Sequence, residues 1–361
     1  MKLAFDISKT YAVVLEGGGA RGAYQVGAWR ALKENGVKFN AVAGSSVGAL
    51  NGAMMAMDDL ALAENLWNDM KFSRVMDVDD RQMQALLKGK FSELDIADLR
   101  KTLKRIFSEK GIDVTPLRNL IKSTVDCDKI RNSPIRFFIC TYSITDRKEL
   151  ELEASKLGNE ELCDMLLASA YFPAFKHELL GGKKYTDGGV TNVLPLSPLV
   201  SRGYKDIISI RLYGYGIEKR IRLPKGTTVT EIAPYTGLGN TLNFDAEPCR
   251  RNYKLGYYDA MRMLYGLYGQ LYYIDRTLSE KQAYDILCGV VLKDHDDMSL
   301  RSLHNELAKF CRNSGSKGDY YDVLVSFMES SAESLQIDQF GIYTDVELLK
   351  KLAIGGNYEK G

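Results

Sequence analysis

Apolar and polar positions are grouped along this chain in a way that predicts its elements. The run YAVVL (11–15) is apolar at every position, as expected for a short strand covered on both faces. It leads into Gly17, Gly18 and Gly19, after which Ala23, Val26, Gly27 and Ala31 recur at helical spacing. A second short run, NAVAG (40–44), leads into Ser45 and Ser46, and ALNGAMMAM beyond them reads as a helix. Strand, glycine loop, helix, strand, serine turn, helix is the alternation that builds a mainly parallel sheet with helices on both faces. In such sheets, functional residues gather at the carboxyl ends of the strands.

Further along, 60–70 and 95–107 predict helices, IRFFICTYS and ELELEA predict strands, and ELCDMLLASA predicts another helix. DIISIRLYG (206–214) reads as a late strand of the sheet. The segment 223–240, LPKGTTVTEIAPYTGLGN, is rich in turn formers and ends the alternation. The expected organisation is therefore an α/β domain over 1–222, a linker over 223–240 and a helical C-terminal domain over 241–361. Loops are expected at KDHDDMS and NSGSKGD, and no internal repeat is visible.

Composition narrows the function classes. With 361 residues, 45% hydrophobic and 26% charged, the chain has a globular composition. A net charge of +1 with interspersed signs lacks the concentrated basic surface that nucleic acid requires. The start, MKLAFDISKT, has no apolar signal core, and no stretch reaches roughly 18 uninterrupted apolar residues; these features predict a soluble cytoplasmic protein. Cys127, Cys140, Cys163, Cys249, Cys288 and Cys311 are scattered without a C-x-x-C pair, which suits neither a disulfide scaffold nor a zinc site.

Two glycine patterns suggest rival enzymes. Gly17, Gly19 and Gly22 satisfy G-x-G-x-x-G between a strand and a helix, the context of a dinucleotide-binding oxidoreductase. That chemistry needs an acidic residue about 20 positions later, at the end of the second strand. Asn40 begins that strand, Gly44, Ser45 and Ser46 follow it, and Glu34 comes too early. Glycine amides can instead converge on a developing oxyanion. Gly44-x-Ser46-x-Gly48 is the G-x-S-x-G turn that exposes a nucleophilic serine between strand and helix, so Ser46 is the candidate nucleophile and Ser45 the filler.

A serine nucleophile needs a base, and there are only three histidines, His177, His295 and His304. His295 and His304 fall beyond the expected boundary and read as surface residues. His177 lies in FKHELLGGKKYTDGG, and no histidine occupies the usual late position of a hydrolase triad. The same stretch holds Asp187, Gly188 and Gly189. Asp-Gly is a favoured turn pair; it also lets the chain pass close to the serine with Asp187 aimed at the hydroxyl. A carboxylate is a weak base near its ordinary pKa of about 3.9, and desolvation raises it.

The blocks GGGARG (17–22), GSSVG (44–48) and DGG (187–189), with the softer ASAYFPAF (168–175), resemble in order and separation the signature blocks of patatin-like phospholipases. The resemblance spans about 11–214. It implies a three-layer α/β/α fold with a helical C-terminal extension, and acyl-ester hydrolysis by a Ser46–Asp187 dyad with the amides of Gly17, Gly18 and Gly19 as oxyanion donors. It implies Arg21, Gly22, Gly44, Gly48, Gly188 and Gly189 as supporting positions, a phospholipid or lysophospholipid substrate, and no metal or cofactor. Peripheral contact with a membrane stays open, as does the alternative of a general carboxylesterase or acylglycerol lipase using the same dyad. None of the signature blocks departs from the pattern of an active enzyme.

Two other features have plainer explanations. Leu255, Tyr258, Met261, Tyr265, Tyr268 and Tyr272 fall at helical spacing, which suits a packing face better than an interfacial lid. The acidic clusters Asp77, Asp79, Asp80 and Asp294, Asp296, Asp297 do not follow a calcium-loop pattern.

Overall fold

The structure, a computed structural model, describes residues 1–90, 102, 104–106, 108, 111–292, 302–303, 305–306, 308–309 and 319–358. Most of the helix expected over 95–107 lies outside the described residues. So do His295, His304, Cys311, the cluster Asp294, Asp296 and Asp297, the loop at 293–299 and nearly all of that at 313–319.

The chain divides into two compact units, Asp6–Ala260 and Met1–Phe5 with Met261–Gly361. The larger unit is built on a seven-stranded sheet of β1 (Thr10–Leu15), β2 (Lys38–Ser45), β3 (Arg136–Ser143), β4 (Lys148–Glu153), β5 (Tyr185–Asp187), β6 (Asp206–Ile210) and β7 (Thr228–Ile232). The order is β4-β3-β2-β1-β6-β7, with β5 on β3. The pairs β1–β2, β2–β3, β1–β6 and β6–β7 are parallel, and β4 and β5 run antiparallel to β3.

Side chains alternate across the sheet, and both faces are covered. Ala12 and Val14 of β1, with Ala41 and Ala43 of β2, pack on Val193, Leu194 and Leu199. On the other face lie α1 (Ala23–Glu34), α2 (Val47–Ala56) and α3 (Leu60–Asn68). Further helices of this unit are α4 (Thr115–Thr124), α5 (Asn159–Ser169) and α6 (Gly189–Asn192), and α7 (Ala246–Tyr265) begins in it. This is the mainly parallel three-layer α/β architecture expected.

The segment expected to be a linker contributes an edge strand. Thr228–Ile232, TVTEI, pairs with β6 along its whole length, because its β-branched residues suit a strand although turn formers flank it. The larger unit then continues into α7, where two glycines meet. A Cβ at Gly27 would lie 1.9 Å from the Tyr253 carbonyl oxygen, and one at Gly256 1.9 Å from that of Tyr24. Beside this contact the Tyr24 hydroxyl donates to the buried Asp259 carboxylate at 2.8 Å. Leu255 is buried too, so the face predicted from the tyrosine-rich stretch packs. The helix ends at Tyr265, and Tyr268 and Tyr272 fall beyond it.

The smaller unit pairs β8 (Tyr273–Asp275) with β9 (Ile342–Thr344) and contains α8 (Glu280–Leu292), α9 (Tyr320–Ser334) and α10 (Asp345–Tyr358). Its core gathers Ile274, Leu287, Tyr321, Leu324, Met328 and Leu348. The Glu329 carboxylate accepts the amides of Gln270, Leu271 and Tyr272.

Candidate active site

Strand β2 ends at Ser45, and α2 starts at Val47. Between them Ser46 takes φ 55° and ψ −129°, a strained backbone for a residue with a side chain, costing on the order of 1–3 kcal/mol. The glycines of the motif let the turn close. A Cβ at Gly44 would lie 2.2 Å from the Gly48 carbonyl oxygen, and one at Gly48 2.3 Å from that of Leu15. The Ser46 N–H donates to Ser169 Oγ at 2.9 Å, and Ser169 Oγ donates to the Cys140 carbonyl at 2.6 Å.

Asp187 arrives from a different strand. Pairing of β5 with β3 sets Asp187 opposite Thr141, next to the end of β2. The Ser46 hydroxyl donates to Asp187 Oδ2 at 2.6 Å, and Asp187 Oδ1 accepts the Gly189 N–H at 2.7 Å. Burial pushes this carboxyl up to about 6, against the lowering pull of the hydrogen bonds from Ser46 and Gly189. Gly188 permits the approach, since a Cβ there would lie 2.5 Å from both the Cys140 carbonyl oxygen and Ser45 Oγ.

The glycine loop follows β1. Here one expectation needs correction: the Gly17 N–H donates to the Val193 carbonyl at 2.9 Å, so it is not available to an oxyanion. The amides of Gly18 and Gly19 have no acceptor among the described residues. Gly19 has φ 55°, and a Cβ there would lie 2.2 Å from the Thr241 carbonyl oxygen. Gly22 lets α1 meet α2, since its Cβ would lie 2.5 Å from Val47 Cγ2.

Ser46, Asp187 and Gly17 to Gly19 all border one cavity of about 340 Å³. Its remaining wall is mostly hydrocarbon and aromatic: Leu50 and Met54 from α2, Leu66 and Trp67 from α3, Leu117 and Ile121 from α4, with Phe172, Phe175 and Phe244. The pattern of α4 explains its part, since Leu117, Leu120, Ile121 and Thr124 share one helical face and all line the space.

A family model for the patatin-like phospholipases matches residues 13–200, more than half of the chain. The chain belongs to that family. Patatin-like phospholipase domain-containing protein 7 of Rattus norvegicus is 30% identical over 199 residues, which are 55% of this chain and 13% of the rat protein. Lysophospholipase nte1 of Aspergillus terreus is 48% identical over 50 residues, 14% of this chain and 3% of that protein. The chain thus matches only a small part of these much longer relatives. Among solved structures, VipD from Legionella pneumophila aligns with a TM-score of 0.45 and 14% identity, over 96% of this chain and 87% of that one.

Within this patatin-family unit Arg21 acts as a tie. Its guanidinium donates to the carbonyls of Leu212, Tyr213 and Gly239 at 3.2, 2.5 and 2.9 Å, which fastens the glycine loop to two neighbouring segments. His177 is committed elsewhere. Its Nδ1 lies 2.8 Å from the Tyr185 carbonyl oxygen and its Nε2 3.1 Å from that of Phe172, and its ring stacks on Tyr171 at 5.0 Å.

Several supports of the site were not singled out from sequence. Ser169 sits in the block ASAYFPAF, whose apolar character hid its hydroxyl. Buried Glu16 accepts Arg211 Nε at 3.0 Å and the amides of Leu212, Tyr213 and Gly214 at 2.6, 3.1 and 3.3 Å, holding the segment that Arg21 grips. A charge wedged between an apolar strand and three glycines was the available signal. Asn51 donates to Gln25 Oε1 at 2.8 Å and to the Gly22 carbonyl at 2.9 Å, and accepts Trp67 Nε1 at 3.0 Å, a buried network across α1, α2 and α3.

The described acidic cluster makes ordinary contacts. Asp77 pairs with Arg105 at 2.5 Å, Asp79 accepts the Gln82 amide at 2.9 Å, and Asp80 accepts the Ser73 amide at 2.9 Å. Among the described residues no group of three or more His, Cys, Asp or Glu side chains is placed to hold a metal ion. Likewise, no described helix is long and apolar enough to cross a membrane.

Proposed function

We propose that this protein hydrolyses carboxylic esters of long-chain lipids, phospholipids or lysophospholipids, through Ser46 and Asp187. One observation carries the proposal: a serine hydroxyl on a strained turn donates to a buried, partner-poor carboxylate at the edge of an apolar cavity. The cavity wall suits an acyl chain, whereas a dinucleotide would need polar partners for its ribose and pyrophosphate.

In the first step Ser46 Oγ attacks the ester carbonyl while Asp187 takes its proton. The oxyanion accepts hydrogen bonds from the amides of Gly18 and Gly19. Collapse breaks the ester bond, Asp187 returns the proton to the departing alkoxide, and the acyl group stays on Ser46. Water then attacks the acyl-enzyme with Asp187 again as base, releasing the fatty acid and restoring the serine. The raised pKa of Asp187 brings the carboxylate closer to the strength that proton abstraction near neutral pH requires.

An alkyl fluorophosphonate, which modifies activated serines, tests the proposal together with fatty-acid release from lysophosphatidylcholine. The expected result is one adduct on Ser46, found by peptide mass spectrometry and absent from Asp187→Asn, with release lost in Ser46→Ala. Fatty-acid release by folded Ser46→Ala would reject the mechanism. A short-chain carboxylesterase would instead cleave acetate esters faster than lysophosphatidylcholine, and the apolar wall argues against that preference.

A further inference from the structure

Between β6 and β7 the chain makes an irregular excursion over 213–226 that neither the proposed chemistry nor the core accounts for. Fourteen large apolar side chains are exposed among the described residues, and Tyr213, Tyr215, Ile217 and Leu223 are four of them, with Tyr215 79% and Ile217 58% exposed. Along the same excursion stand Lys219, Arg220, Arg222 and Lys225 against the single carboxylate of Glu218. Glu218 is taken by Arg211 at 2.6 Å, and Lys219 pairs with Glu149. Arg220, Arg222 and Lys225 have no acidic partner among the described residues.

This segment is anchored beside the site. The Val193 N–H donates to the Ile217 carbonyl at 2.7 Å, and the Ile217 N–H donates to that of Gly189 at 3.0 Å. Gly216, at φ 154°, lies so close that a Cβ would be 2.3 Å from the Gly189 carbonyl oxygen. The Arg21 guanidinium lies 5.6 Å from the Tyr215 ring centre, and that of Arg211 5.4 Å from the Tyr213 ring centre, so both rings rest on cations. Tyr215 also lines the cavity, together with the exposed Phe172 and Val190. Tyr215 is thus held at the mouth of the cavity that Ser46 faces, and the exposed aliphatic and basic side chains follow along the segment as it runs back to the start of β7.

We propose that the 213–226 segment is a docking surface for an anionic lipid bilayer, which seats the mouth of the cavity against the membrane. The charge and the chemistry both fit this occupant. Tyrosine rings favour the boundary between water and hydrocarbon, Ile217 and Leu223 supply the apolar part, and the unpaired cations meet lipid phosphates. Each basic side chain near an anionic surface raises partition by about fivefold. Anchoring by Gly189 and Val193 keeps the ordering cost of binding low. The lipase reading gives docking its purpose, but docking itself is independent of turnover.

Co-sedimentation of the full-length Ser46→Ala protein with phosphatidylcholine vesicles, with and without phosphatidylglycerol, separates the two. Binding is expected to require phosphatidylglycerol, to weaken as salt screens the charges, and to fall about thirtyfold in Arg220→Gln/Arg222→Gln. It should also fall in Ile217→Ser/Leu223→Ser. In the Ser46 background, Arg220→Gln/Arg222→Gln should keep full hydrolysis of a soluble short-chain ester and lose hydrolysis of vesicle lipid. Vesicle binding that ignores these four positions, or no binding at all at low salt, would overturn the proposal. Equal binding of polyglutamate with no dependence on Ile217 and Leu223 would also overturn it, in favour of an acidic protein partner.

Discussion

The backbone amide of Ser46 donates to the hydroxyl of Ser169, a residue 123 positions later, at 2.9 Å. Since that hydroxyl donates in turn to the Cys140 carbonyl, one small side chain ties the strained serine turn to β3 and the end of α5. Ser169→Ala leaves both groups unsatisfied in a buried place, which should cost about 1–3 kcal/mol of stability. Because the turn loses its brace, turnover should also fall, by about tenfold for each 1.4 kcal/mol of lost transition-state positioning. Denaturant unfolding and single-turnover rates measure the two effects, and unchanged values for both would remove Ser169 from the site's support.

In the proposed mechanism ionised Asp187 is the active form, so the pH profile follows from its burial. With the carboxyl raised to about 6, kcat/KM should climb through that region and level off above it. His177, bonded to two carbonyls away from the dyad, should not shape the curve, and His177→Ala should reproduce it. Loss of the limb in a folded His177→Ala protein would point to a triad.

The same carboxylate should reduce stability at neutral pH. Its pKa is raised from 3.8 to about 6 on folding, so the folded state holds its proton more tightly than the unfolded chain. The stabilising contribution is complete below pH 3.8 and is lost as pH rises through about 6. Asp187→Asn keeps the shape without the charge, and should be more stable than the parent by about 3 kcal/mol at pH 8, with the gap closing under acid conditions. Thermal melts of an inactive Asp187→Asn that show no gain at alkaline pH would contradict the origin given for the shift.

Gly19 combines a left-handed backbone with no room for a side chain, 2.2 Å from the Thr241 carbonyl oxygen. Gly19→Ala should displace the loop and its free amides, lowering kcat by about 10²–10³. Short-ester kinetics on folded protein supply the check, and near-normal turnover would move the oxyanion site elsewhere.

The meeting of Ser46 with Asp187 was legible because its constraints are local. A sharp strand-to-helix turn demands small neighbours around Ser46, and Gly188 is needed where Asp187 nears β3, so both leave glycine marks in the sequence. The hydrogen-bond partners were not legible, because they depend on distant chain. Whether Gly17 offers its amide to an oxyanion is decided by Val193, and nothing near Gly17 reports that. Ser169 was concealed by the apolar company it keeps. Strand β7 was masked by the prolines and glycines on either side of TVTEI, since turn formers describe where a strand stops and not whether one exists.

The glycine contact between α1 and α7 also decides where this patatin-family unit can be cut. The family pattern closes at residue 200, and a fragment ending there would keep Ser46, Asp187 and every signature block. It would also expose the flank of α1 where Gly27 meets the Tyr253 carbonyl and the Tyr24 carbonyl meets Gly256, and leave the Tyr24 hydroxyl without the Asp259 carboxylate. The smallest piece that can be expected to express as a folded protein therefore runs past the last recognisable motif and through the helix that carries Gly256.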